Sequence, residues 1–226
     1  SLILASFSTA PILFFWALVF GGLAVGIVEV AVNLEADRIE YSIKKKIMNR
    51  SHSFWSLGFF ASGFLGAIFS QFRLEPFYHL IITGAFGSVI TFILLLNYKA
   101  LDPRPNSHHT SNLFVKPTKG ILTLVFFTLS AMLIEGAGID WSVIYMRDVF
   151  GTPAFLNGMA LFLGALAQFF VRYFADGFVE NYGSELVAKA SIISMLFGLT
   201  SICLTGSPSL ALLGFFLMGA GTAVLF

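Results

Sequence analysis

Two carboxylates stand inside apolar runs of this sequence, each with glycines and hydrogen-bonding side chains at helical spacing. In Phe20–Glu40, FGGLAVGIVEVAVNLEADRIE, the residues Gly22, Gly26, Glu29 and Asn33 recur at i, i+4, i+7 and i+11 and share one stripe of a helix. The two glycines leave room for a neighbouring backbone. A charge deep in hydrocarbon costs about 2.5–3.5 kcal/mol even on lenient insertion scales, so an acid there faces a partner or a wet cavity. Burial penalises the charged carboxylate, and the chemistry open to Glu29 is reversible proton binding. Asn33, one turn on, can hydrogen-bond Glu29 or a polar solute. The bland alternative is a buried acid paired with a neighbouring helix for structure alone.

The second acid lies in Glu135–Ser142, EGAGIDWS. Glu135, Gly138, Ser142 and Tyr145 fall on one stripe, and Asp140 points away from it by about 140°. Gly136 and Gly138 beside the acid fit a locally loosened helix of the kind that lines transporter cavities. Here too an acid bonded to an adjacent helix is the plain alternative. Asp140 can pair with Arg147 at the rim. Between the two acids, His52-Ser53-Phe54-Trp55-Ser56-Leu57-Gly58 opens a helix, with Trp55 beside the face that His52 and Ser56 share. Both His52 and Trp55 suit either a cavity wall or a membrane interface. Near the far end of a later run, Arg172 and Asp176 precede Gly183. They read as a charged loop anchor or as a conformational latch in which Asp176 bonds across an interface that opens. Glu35, Asp37, Arg38 and Glu40 read as a solvated or salt-bridged rim.

The elements that must hold these groups are membrane spans. The 226 residues are 57% hydrophobic and 11% charged, where soluble domains average about 25% charged. Segments long enough to cross a bilayer fall at 12–34, 52–72, 78–98, 119–146, 153–175, 187–205 and 209–226. They follow the remnant of an earlier helix at 1–8 and a turn at Thr9-Ala10-Pro11. Basic residues concentrate in alternate loops: Arg38 to Arg50, Lys99 to Lys119, and Arg172 to Lys189. Arg73 and Arg147 alone fill the loops between. This bias makes loops 38–50, 99–119 and 172–189 cytoplasmic. Residues 99–118, KALDPRPNSHHTSNLFVKPT, compose a polar linker. The chain begins and ends inside apolar runs and is read as an internal piece of a longer protein.

Several chemistries find no footing. A net charge of +1 gives no reason to expect nucleic acid as a partner. Cys203 is alone, so neither a disulfide framework nor a cysteine metal site is expected. His108-His109 in the linker is an exposed pair, better read as solvated than as a metal site. No zinc-protease helix motif, phosphate loop or dinucleotide turn occurs, so neither a cofactor nor an enzyme is expected.

Four stretches carry a family resemblance: Gly26 to Asn33 as G-x-x-E-x-A-x-N, Phe54 to Gly58, Glu135 to Ser142 as E-G-x-x-x-D-W-S, and Arg172-x-x-Ala175-Asp176 with Gly183. Together they resemble the major facilitator superfamily, in its fucose-permease-like branch. The resemblance implies an all-α polytopic membrane bundle of two six-helix halves, incomplete here at both ends. On that register residues 1–98 belong to the first half, 99–118 join the halves, and 119–226 belong to the second. It places Glu29 where relatives carry a proton-coupling acid, and Asn33 at the amide of the same motif. Val171 and Gly177 depart from the family's cytoplasmic loop motif.

The expectation is a secondary transporter of a small polar solute, with a sugar as one candidate, coupled to protons by symport. It would work by alternating access as a monomer in the bacterial inner membrane. Glu29 would carry the proton, while Asn33, His52, Trp55, Glu135 and Ser142 would line the cavity. A drug or amphiphile efflux pump of the same fold, which the 27 Phe residues would suit, and a non-transporting receptor remain open.

Overall fold

The computed structural model describes residues 2–99, 101–102 and 116–224. Most of the 99–118 linker, with His108 and His109, lies outside the described residues. Among the described residues eight helices follow one another: α1 Leu2–Ser6, α2 Pro11–Ile43, α3 Met48–Gln71, α4 Pro76–Leu95, α5 Lys119–Phe150, α6 Ala154–Tyr182, α7 Ser184–Leu204 and α8 Pro208–Thr222. Six of them, α2 to α7, are long and apolar enough to cross a membrane, while α8 is shorter.

The helix ends follow local chemistry. Pro11, Pro76 and Pro208 occupy first-turn positions of α2, α4 and α8, where proline's fixed φ helps and its missing N–H costs nothing. The Thr118 hydroxyl accepts from the Ile121 N–H at 3.3 Å to cap α5. Gly151 ends α5 at φ 61° with its N–H on the Arg147 carbonyl, a left-handed cap that glycine adopts without strain. The expected first span, 12–34, is exceeded: α2 runs on to Ile43, because its polar end keeps helix-forming residues up to the left-handed Lys44.

Packing divides the chain into two units. The first comprises Ser1–Met48 and Phe72–Ser107; the second comprises Asn49–Gln71 and His108–Phe226. Packing thus groups α3 with the helices after the linker, whereas chain order alone places it in the 1–98 segment. In the first unit α1 packs on α2 and α4. Near its end, Glu35 holds Arg38 at 3.0 Å and accepts the Leu101 N–H at 3.0 Å, the salt-bridged rim that the sequence implies.

The second unit has a core of Ala131, Met146, Ala160, Met195, Ile202, Ala211, Phe215 and Met218. Within it α8 packs closely on α7 and α6, because glycines remove the side chains at the contacts. A Cβ added at Gly198 would lie 2.6 Å from the Gly214 carbonyl oxygen and 2.7 Å from the Met218 nitrogen. One added at Gly219 would strike the backbone of Gly164. Helices in lipid associate through such close approaches and through interhelical hydrogen bonds. Two of these run from Tyr145 Oη to the Ile202 carbonyl at 2.6 Å and from Ser194 Oγ to the Leu217 carbonyl at 2.8 Å.

Gly198→Ala is therefore expected to destabilise the protein by about 1–3 kcal/mol through overpacking, read as a lower thermal unfolding midpoint in detergent. Gly87→Ala in α4, where an added methyl meets open space, is expected to leave that midpoint unchanged or higher.

Candidate functional site

The second unit holds a buried polar network centred on α6. Two of its residues, Gln168 and Arg172, are one turn apart and point into the bundle, 8% exposed each. Arg172 donates from Nε to the Ala223 carbonyl at 3.0 Å and from Nη1 to Ser56 Oγ at 2.9 Å. Its Nη2 meets Glu135 Oε1 at 3.3 Å, an ion pair between α5 and α6. Gln168 Nε2 donates to the same Glu135 oxygen at 2.6 Å and lies 3.1 Å from Thr222 Oγ1. Glu135 Oε1 thus carries two donors, and among the described residues Oε2 carries none.

Glu135 and Gln168 open onto a cavity of about 40 Å³, lined also by Trp55, Phe59, Gly138, Phe215, Met218 and Thr222. At about 10–15 Å³ per water, such a space holds a few water molecules. Its wall is mostly apolar and aromatic, with a few convergent polar groups, the usual make-up of a small-molecule site. Because Arg172 neutralises Glu135, the site carries an acceptor without carrying a net charge.

A ladder of contacts sets α3 against α6 in antiparallel order. Asn49 Nδ2 donates to Asp176 Oδ1 at 2.7 Å, Ser56 meets Arg172, and Gln71 Oε1 accepts the Phe155 N–H at 3.0 Å. Gly158 packs on Ala67 between the last two. Arg50 lies over the Tyr173 ring, 5.0 Å from its centroid, within cation–π range.

The residues singled out from sequence divide accordingly. Trp55 and Glu135 meet on the cavity. His52 supplies the carbonyl that Ser56 reaches at 3.5 Å. Ser142 is fully buried one turn beyond Gly138, and its Oγ has no partner among the described residues; it does not line the cavity. Arg172 is a buried partner of Glu135 rather than a loop anchor, because α6 continues to Tyr182 and carries it inside the bundle. Arg147 pairs with its neighbour Asp148 at 2.6 Å, not with Asp140, since the adjacent carboxylate reaches it first. Glu29 is exposed and Asn33 half-buried in the first unit. Added Cβ atoms at Gly22 and Gly26 meet nothing within 4 Å, so within the first unit no described residue makes the close approach expected on that stripe. Among the described residues no group of three metal-ligating side chains occurs.

Sequence reasoning missed Gln168, Thr222, Met218 and Asn49. The one available signal was an amide inside an apolar run, Gln168, placed one turn before Arg172.

The chain is 30% identical over 208 residues to an uncharacterized transporter of Sinorhizobium fredii, covering 92% of this chain and 55% of that protein. It is 27% identical over 210 residues to an uncharacterized MFS-type transporter of Yersinia pestis, covering 92% of this chain and 53% of that one. The chain therefore spans about half the length of the curated relatives it matches. No family model and no solved structure matches it. Together with six apolar helices among the described residues, the similarity supports an integral membrane helical bundle like that expected of these relatives.

Arg172→Met is expected to destabilise the protein by about 3–5 kcal/mol, because it leaves the Glu135 charge buried and unpaired. Adding Glu135→Gln should restore much of that loss in a double-mutant cycle read by unfolding in detergent. Additive effects would show that the two side chains are not coupled.

Proposed function

We propose that the protein is a secondary active transporter for a small, neutral, hydroxyl-bearing solute, moved by alternating access between two helical halves and coupled to protons by symport. The observation that carries this reading is the division of labour at Glu135. One carboxylate oxygen is held by Gln168 and Arg172, and the other has no donor among the described residues at the cavity. A free acceptor in a site of zero net charge suits a solute that donates a hydroxyl. A cationic amphiphile would have to compete with Arg172 for the same carboxylate. Trp55 beside the cavity supplies an apolar face on which a sugar ring can stack.

In this reading Glu29 carries the proton and Asn33 stands beside it. The Asn49–Asp176 contact is the latch between α3 and α6, and its release accompanies opening on the cytoplasmic side. The basic ends at the α2–α3 turn, the 99–118 linker and the α6–α7 turn face the cytoplasm, and the bacterial inner membrane and a monomeric state complete the proposal. Membership of the fucose-permease-like branch is part of the same reading. It rests on the G-x-x-E-x-A-x-N and E-G-x-x-x-D-W-S stretches and on similarity to proteins named as transporters.

Efflux of amphipathic compounds is the second reading. It is favoured by an apolar groove of about 430 Å³ along α6, α7 and the end of α8, lined by Phe178, Tyr182, Leu186 and Val187 among others.

Uptake of a radiolabelled hexose by the full-length protein in proteoliposomes, with and without an inward proton gradient, tests the proposal. Glu29→Gln is expected to abolish gradient-driven accumulation while preserving exchange. Glu135→Gln is expected to raise KM about tenfold or more, the loss of one hydrogen bond to a charged group. Undiminished, still gradient-driven uptake by Glu29→Gln would refute the coupling. Transport of cationic amphiphiles with no hexose flux would favour the efflux reading.

A further inference from the structure

The cavity at Glu135, about 40 Å³, is small for a polyhydroxylated solute, and one flexible side chain forms part of its wall. Met218, on α8, is 6% exposed and lines the cavity. Its Cε occupies the space where a side chain on Gly138 would otherwise project, so that a Cβ built at Gly138 collides with it. Gly138 stands between two polar members of one α5 stripe. Glu135 lies toward one side with a carboxylate oxygen at the cavity. Ser142 lies one turn to the other side, fully buried, with its hydroxyl unpartnered among the described residues. A hydroxyl buried without a partner forfeits the hydrogen bonds that water would give it, which makes Ser142 an unusual neighbour for Gly138 on this stripe. Glu135 and Ser142 are seven residues apart, about 10 Å along the helix axis, and Met218 lies over the stretch between them.

We propose that Met218 is a movable plug that sets the size of the solute, and that its withdrawal extends the site along α5 from Glu135 to Ser142. The inference rests on the solute-site reading of Glu135 given above. Methionine suits the part. It is unbranched and has three rotatable bonds, so it can vacate one gap and fill another with little strain. The backbone beside it does not share this freedom, because Gly198 and Gly214 hold α8 against α7 at backbone contact. The side chain therefore moves and the helix stays. The solute that fits the extended site presents hydroxyls at both ends, one donating to Glu135 and one meeting the Ser142 hydroxyl.

The test uses the full-length protein with Cys203→Ser, so that no other thiol from this chain competes, and with Ser142→Cys as reporter. Labelling by a small water-soluble methanethiosulfonate is expected to be slow when Met218 is present. It should accelerate about tenfold or more in Met218→Ala, since thiol reactivity follows access. Met218→Leu, which restores the bulk, should return it to the slow rate. Equal labelling rates in all three would overturn the plug, provided each elutes as a monodisperse protein at the wild-type position. Should a variant fail that check, Gly138→Ala supplies the second measurement. It must displace the Met218 methyl, and an unchanged Ser142→Cys labelling rate in that background also overturns the proposal. Flux then separates the two claims. A shift of uptake from a hexose toward a disaccharide in Met218→Ala supports both. Accelerated labelling without flux of either sugar leaves the plug standing and removes the solute class proposed for Glu135.

Discussion

A guanidinium inside an apolar bundle must find acceptors for its N–H groups, because hydrocarbon offers none. Arg172 finds them on three elements besides its own: the Ser56 hydroxyl on α3, the Glu135 carboxylate on α5, and the Ala223 carbonyl just beyond α8. Each acceptor arrives by a different route. The Ala223 carbonyl is within reach because Gly219 lets α8 lie against Gly164 of α6 with no side chain between them. Ser56 is within reach because α3 runs antiparallel along α6, with Ala67 seated on Gly158 near the other end. The close packing of small residues and the satisfaction of one buried cation are thus a single arrangement.

That arrangement also determines what Glu135 can do. A lone carboxylate at this depth is costly to bury. Paired with Arg172 and Gln168 it can remain an acceptor in a mostly apolar wall. Buried ion pairs contribute little net stability against apolar replacements, while removing one partner is strongly unfavourable. Stability alone is therefore a poor reason for charge here. A partly free carboxylate beside Trp55, at a cavity, is the acceptor that the proposed solute would use.

How far the sequence carries depends on the range of the interaction. Helix starts at Pro11, Pro76 and Pro208 and the stop at Gly151 are local effects, and the sequence places them within a few residues. Glu135 is recognisable because an acid in a glycine-rich apolar run is costly wherever it is put. Its partner is less legible. Arg172 lies at the edge of an apolar run and reads as a loop residue until α6 is seen to continue past it to Tyr182. Gln168 and Thr222 belong to no motif, and what joins them to Glu135 is the crossing of three helices. Asp140 illustrates the converse. Its spacing from Arg147 allowed a rim pair, and Asp148, one residue from Arg147, took the contact instead. The grouping of α3 with the later helices is equally invisible in chain order, since it rests on contacts such as Asn49 with Asp176, 127 residues apart.

The α3–α6 ladder ties the two ends of the proposed machine together. Arg172 and Asp176 are one turn apart on α6, and their partners Ser56 and Asn49 are two turns apart on α3. A rigid tilt of α3 about its Gln71 end moves Asn49 farthest, Ser56 less, and the Ala67–Gly158 contact least. The Asp176 bond would yield before the Arg172 bond, and Arg172 would lose Ser56 while keeping Glu135 and the Ala223 carbonyl. An opening motion of that kind leaves the charge on Glu135 balanced throughout. It also means that whatever a solute does to the Glu135–Arg172 pair is felt at Ser56, on the same lever whose tip holds the Asp176 contact. Coupling of the cavity to the latch then needs no pathway of intervening residues, only two stiff helices and the bonds between them.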